Sequence, residues 1–285
     1  MAMVKKIACF FTGGYTESNA MPIFLKKINP DIEFRQFCPN RTKRRKRPGQ
    51  LDLIDEVSGL TGPALLGYVY TYLKEHPKEI AEFDAILIED DLDGRFYEET
   101  VPGEEKSIVA KRTADFEKHY KEIRENICER LGKDDSFPVL RLFAAPEIEA
   151  WFLADWEDTF SFVYGPKSFS VLTTGECDFF STRFWSYIKE GVLMGYADRI
   201  EEYGYFSGVY KKLSDEIIAA FDSFKVSLAS PKEKSPYAET IAAKRDLRYS
   251  KKLHGDEMLR RSSPDKIREK CTIYFRETYD QLKSL

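Results

Sequence analysis

The sequence predicts an α/β protein: a mainly parallel sheet with helices on both faces, followed by a mostly helical C-terminal elaboration. Short β-rich runs alternate with longer helical stretches through the first 160 residues, and that rhythm is the pattern of a parallel sheet buried on both faces. Beyond about residue 160 the alternation fades and aromatic clusters take its place. The 285 residues are 42% hydrophobic and 14% aromatic, with only 16 Gly and 13 Pro. Such a chain buries enough apolar surface to offset its ordering entropy, which excludes disordered and fibrous classes.

Taken in order, Ile7 to Phe11 reads as the first strand and Asn19 to Ile28 as a helix with Pro22 in its first turn. Glu33 to Cys38 reads as the second strand. Leu51 to about Glu75 reads as helical, interrupted at Gly59, Gly62 and Pro63. Ala85 to Ile88 is the third strand, bounded by acids. Phe116, Tyr120, Ile123, Ile127 and Leu131 recur at helical spacing within a helix from Glu105 to Leu131, stopped by Gly132. Val139 to Ala145 is the fourth strand, followed by a helix opening at Pro146. In the second half Leu213 to Phe224 reads as a helix, Ser227 to Ser235 as a loop, and Asp265 to Leu282 as one amphipathic helix. The expected organisation is a metal-binding domain over 1–160 and a helical elaboration over 161–285, packed on the sheet.

The 44 basic and 48 acidic side chains leave a net charge of −4, so the whole molecule does not attract nucleic acid and any polyanion site must be local. Five scattered cysteines contain no Cys-x-x-Cys pair, and the three histidines lack ligand spacing. A metal site would therefore be built from carboxylates, which suits Mg²⁺ or Mn²⁺ better than zinc. The first apolar run is too short for a signal peptide, and no segment approaches the ~18 apolar residues of a spanning helix. A cytoplasmic protein without a membrane partner is expected.

Ligands of parallel sheets sit at the carboxyl ends of the strands, and acids fall there three times. Glu17 ends Thr12-Gly-Gly-Tyr-Thr-Glu17 after the first strand, Asp91 and Asp93 lie in Glu89-Asp-Asp-Leu-Asp-Gly-Arg95 after the third, and Glu149 lies in Pro146-Glu-Ile-Glu-Ala-Trp151 after the fourth. Crowded carboxylates repel unless a cation or proton neutralises them, so the set reads as a divalent-metal site. Each piece also has a plainer reading. Glu17 can cap a turn, Asp-Leu-Asp-Gly is turn-forming, and Glu147 and Glu149 can complement a helix dipole. Trp151, Phe152 and Leu153 read as core, and Asp155 as either a cap or a support behind the ligands.

Two basic stretches accompany the acids. Arg41, Lys43, Arg44, Arg45, Lys46 and Arg47 crowd the segment between the second strand and the next helix, and read either as a phosphate-contacting loop or as a solvated connector. Lys244 to Lys252 leads into His254-Gly255. There Lys251 either supplies a cation beside the metal, stabilising developing negative charge, or belongs to a basic helix end closed by Gly255.

The glutamate after the first strand and the Asp-x-Asp after the third resemble the TOPRIM fold, the Rossmann-like, acid-bearing module of topoisomerases, primases and OLD-type nucleases. Glu17 matches the first position and Asp91-Leu-Asp93 the second. The finer resemblance is to domain of unknown function 4276, related to OLD-type and RloB-type TOPRIM proteins. It is carried by Gly14-Tyr-Thr-Glu17, Asp91-Leu-Asp-Gly94, Ala145-Pro-Glu-Ile-Glu-Ala-Trp-Phe-Leu-Ala-Asp155 and Tyr249-Ser-Lys-Lys-Leu-His-Gly255. The chain departs from the pattern in lacking an acid before the first-loop glycine, and Glu89 and Asp90 leave the ligand register open by one residue. The resemblance implies a Mg²⁺- or Mn²⁺-dependent nuclease of bacterial anti-phage defence with Glu17, Asp91 and Asp93 as catalytic acids; Glu149 and Lys251, by their place in the chain, are expected to join them as catalytic residues, the four acids holding one or two metals. It implies DNA or RNA as substrate and a partner ATPase of the ABC/SMC-like class, since this chain carries no Gly-x-x-x-x-Gly-Lys-[Ser/Thr] loop. Self-association stays open. Two other readings stand beside it: a non-catalytic regulatory or binding subunit of an ATPase complex, and a haloacid-dehalogenase-type phosphatase with Asp91 as nucleophile.

Overall fold

The computed structural model describes residues 4–12, 15–39, 60–96, 105–164, 172–203, 211–229, 235–243 and 249–285, the first residues of two helices (15–18 and 105) by backbone alone. Four strands, β1 (Lys6–Phe10), β2 (Glu33–Cys38), β3 (Ala85–Asp91) and β4 (Val139–Ala144), form one all-parallel sheet in the order β2-β1-β3-β4. The chain is an α/β, Rossmann-like fold with a helical C-terminal part.

Successive side chains of a strand point to opposite faces, and both faces of this sheet are covered. Ile7, Cys9 and Phe11, with Leu87, Leu140 and Leu142, join a core that includes Ala20, Met21, Phe24, Leu25 and Ile28 of α1 (Tyr15–Ile28). Ala8 and Phe10, with Ile86, Ile88 and Val139, meet Leu65, Leu66, Val69 and Leu73 of α2 (Gly62–Glu75) and Ile123 and Ile127 of α4 (Glu105–Leu131). The short α3 (Pro77–Ile80) leads into β3.

The helical part comprises α5 (Glu149–Ala154), α6 (Phe160–Val163), α7 (Thr174–Tyr187), α8 (Leu213–Leu228), α9 (Ala238–Ala243), α10 (Lys251–Arg261), α11 (Pro264–Lys270) and α12 (Phe275–Ser284). It shares the α1-side core, which runs from Ile7 to Leu282 without a break at residue 160. Trp151, fully buried, stacks on Phe24 at 5.6 Å and meets Phe275 edge-on at 5.1 Å, so the expected core role of this run is met. α12 lies against β4, the last strand in the order: the Thr278 hydroxyl donates to the Arg141 carbonyl, and the Arg141 guanidinium pairs with Glu117 at 2.6 Å and with Glu277. A helix thereby covers an edge that would otherwise invite strand pairing. Between α11 and α12, the buried Glu201 carboxylate accepts the backbone N–H groups of Ile273 (2.5 Å), Tyr274 (3.2 Å) and Phe275 (3.0 Å).

Several boundaries differ from the sequence reading. β3 runs on through Glu89 and Asp90 to Asp91, because its buried acids find partners. The helix after β4 opens at Glu149 and not at Pro146, whose peptide bond is cis; the Pro146 carbonyl is taken by the Asp93 N–H at 2.7 Å, which holds this segment as a bridge to the end of β3. Pro63 starts α2. Gly255 lies inside α10, so it does not close a basic helix end. The tail is two helices, broken where Glu201 caps the second. All five cysteines are free and buried. Among the described residues no helix is long and apolar enough to cross a membrane.

Candidate metal centre

From β1 the chain passes to β2 on one side and then crosses back to β3 on the other. The carboxyl ends of β1 and β3 are thus the topological switch point, where open α/β sheets bind ligands. Thr12 donates through both its N–H and its hydroxyl to Glu89 Oε2, each at 3.0 Å, tying the two strand ends together.

Pleating divides the three consecutive acids. Asp90 points toward the α2 face: its Oδ2 accepts the Gly62 N–H at 3.0 Å and pairs with Arg95 at 2.6 Å. Burial pushes its carboxyl up to about 6 against the pull of Arg95. Gly62 has φ +53°, and a Cβ there would lie 3.4 Å from Arg95 Nη1, so glycine suits both the backbone and the close approach. Asp91 points the other way, toward the Pro146–Glu149 segment, with its Oδ1 accepting the Ile148 N–H at 2.9 Å. Of the two residues between which the sequence leaves the register open, Asp91 is the one that faces the Pro146–Glu149 segment.

Glu149, wholly buried, accepts the Tyr249 hydroxyl on Oε1 at 2.7 Å. Its Oε2 accepts no hydrogen bond. Lys251, the first residue of α10, sets its Nζ 3.4 Å from Asp91 Oδ2 and 3.6 Å from Glu149 Oε2. Glu147 stands beside them, 3% exposed, with Oε2 accepting the Ser214 N–H at 3.0 Å and Oε1 accepting none. Asp93, at φ +48°, faces Lys212 at 3.8 Å.

These carboxylates are held against their charge. Burial first, opposed by Lys251 and aggravated by Asp91, raises the Glu149 carboxyl. Burial and then the Glu149 charge push Glu147 up to about 7, and burial and then Asp91 raise Asp93. Tyr249 is driven well above its ordinary value by burial and by the Glu149 charge, so it remains a donor. A site of this kind is relieved by a second cation or by protons.

Of the expected residues, the fold brings Asp91, Glu149 and Lys251 together, with Asp93 at their margin. Glu17 lies in the first turn of α1, directly beyond β1, but its side chain is outside the described residues, as are Arg41, Lys43, Arg44, Arg45, Lys46 and Arg47. Asp155 stands apart: its Oδ2 accepts the Ser263 N–H at 2.7 Å and its Oδ1 pairs with Lys266 at 3.0 Å, securing the start of α11. Glu147, Lys212 and Tyr249 join the site without having been singled out for it. Glu147 and Tyr249 carried a signal, each lying two residues before an expected site residue, Glu149 and Lys251.

Among the described residues no group of three or more His, Cys, Asp or Glu side chains is arranged to hold a metal ion. The oxygens that are present nevertheless fit a hard divalent cation: Asp91 Oδ2 and Glu149 Oε2 face a common positive charge, and Glu149 Oε2 is buried with no hydrogen-bond donor. Comparison with protein-family models, with curated proteins and with solved structures found no match.

Proposed function

We propose that this chain is a Mg²⁺- or Mn²⁺-dependent nuclease of TOPRIM type that cleaves a nucleic-acid phosphodiester. The observation that carries the reading is the pair Asp91, at the end of β3, and Glu149, at the start of the helix after the adjacent parallel strand β4, which turn one oxygen each toward a shared cation. The reading assigns two further ligands, Glu17 in the first turn of the helix after β1 and Asp93 in the turn after β3. A bound divalent metal supplies a Lewis acid for a phosphate oxygen and an acidified water. The protein's own part is to fix the acids through the Ile148 N–H and the Tyr249 hydroxyl, and to offer the Lys251 and Lys212 ammonium groups to phosphate oxygens. The setting in anti-phage defence and the ABC/SMC-like ATPase partner rest on the resemblance of the motif set.

Glu17→Gln, Asp91→Asn and Asp93→Asn each remove a charge at nearly constant volume, and each is expected to weaken Mn²⁺ binding in calorimetry while the fold persists. Parent-like Mn²⁺ binding by all three variants refutes the metal site. Covalent modification of Asp91 by beryllofluoride, with phosphomonoester turnover lost in Asp91→Asn, replaces the nuclease by the phosphatase.

A further inference from the structure

Asp91 and Glu149 divide their oxygens in the same way. Each gives one oxygen to a neutral donor, Oδ1 to the Ile148 N–H and Oε1 to the Tyr249 hydroxyl. Each turns the other toward the same Lys251 ammonium, at 3.4 and 3.6 Å. These distances exceed the ~2.7–2.9 Å of a tight ammonium–carboxylate hydrogen bond. The ammonium donates a long hydrogen bond to Asp91 Oδ2 and lies nearly as close to Glu149 Oε2, so it sits between the two carboxylates in the manner of a bridging cation. Its helical position is also unfavourable, because Lys251 and Lys252 begin α10 with no acid in the first turn, where the helix dipole disfavours positive charge. With Glu149 wholly buried and its Oε2 accepting no hydrogen bond, this charge does the work that an ion would otherwise do. Lys251 itself is 36% exposed and reaches the site on a flexible stem, so solvent is open to it once it leaves.

We propose that Lys251 is the resident counter-cation of the carboxylate site, which a divalent metal must displace, and that it thereby sets the site's metal affinity. The proposal rests on the metal-site reading above and adds to it a competitor built into the chain. A divalent metal would close on these same two oxygens, at ~2.0–2.1 Å for Mg²⁺, and would repel an ammonium already beside them. Metal binding therefore expels the ammonium toward solvent, where a phosphate oxygen can take it up.

The test is Mn²⁺ titration calorimetry on the full chain and on Lys251→Met, with metal-free melting temperatures alongside. With the competitor gone, Lys251→Met binds Mn²⁺ about tenfold more tightly, a gain of ~1.4 kcal/mol. Its metal-free form melts below the parent, because the carboxylates have lost their counter-ion, and Mn²⁺ raises its melting temperature by more than it raises the parent's. Lys251→Arg keeps the charge and stays near the parent's affinity. If the methionine variant does not fold, Lys251→Gln, which retains a donor for the two oxygens without the charge, gives the same comparison. Unchanged or weaker Mn²⁺ binding by the neutral variant, with binding lost in Asp91→Asn, overturns the displacement and leaves the metal site standing. Absence of Mn²⁺ binding in the parent and in every variant overturns the metal site itself.

Discussion

Glu201 offers a stability test that leaves the candidate centre untouched. Its carboxylate is 1% exposed and accepts three backbone N–H groups at the break before α12. Burial outweighs those donors and pushes its carboxyl from 4.5 to about 7. Between those values the folded chain keeps a proton that the unfolded chain has released, so stability falls as the pH rises through the window. The gap corresponds to roughly 3 kcal/mol for a fully buried group. Glu201→Gln carries no titrating proton and offers the donors a single amide oxygen. The parent's stability minus the variant's must therefore decline by roughly 3 kcal/mol from about pH 5 to about pH 8, measured by urea unfolding. Asp90 and Glu147 titrate in the same window in both proteins and cancel in the difference. A difference curve that stays flat across this range refutes the reasoning.

Two further predictions concern Gly62 and the basic stretch after β2. Gly62→Ala places a Cβ at φ +53°, 3.4 Å from Arg95 Nη1, and is expected to cost about 1–2 kcal/mol in chemical denaturation; a neutral result means that the backbone there relaxes freely. Replacing Arg44, Arg45 and Arg47 together by Ser is expected to make the log–log salt dependence of oligonucleotide binding shallower by ~2 to 3 while leaving sequence preference unchanged. An unaltered slope makes the segment a connector.

The strand cores were legible because a sheet buried on both faces writes short apolar runs, and Ile7 to Phe11, Glu33 to Cys38 and Val139 to Ala144 sit in the structure close to where the sequence puts them. The third strand was read short because Glu89, Asp90 and Asp91 look like a turn until their partners, Thr12, Gly62 with Arg95, and Ile148, are brought in from elsewhere in the chain. Which of Asp90 and Asp91 faces the Pro146–Glu149 segment follows from the phase of that strand, which its true length supplies. The tail kept an amphipathic period across a break whose cap, Glu201, lies 72 residues away from Ile273. Glu147 was read as a dipole residue for the same reason: local pattern shows where a side chain sits, and its partner at Ser214, 67 residues on, is a product of the fold.

The span of the chain needed to complete the centre bears on how the protein is made. Tyr249 meets Glu149 across 100 residues, and Lys251 meets Asp91 across 160. On a ribosome adding about 5–20 residues each second, the second aspartate–lysine partner emerges roughly ten to thirty seconds after the first. During that interval the acids that have emerged lack the tyrosine that hydrogen-bonds Glu149 and the ammonium that faces the pair. The constellation therefore forms only as the last helices settle on α1, and a chain that stalls before residue 249 presents strands and acids but no finished site.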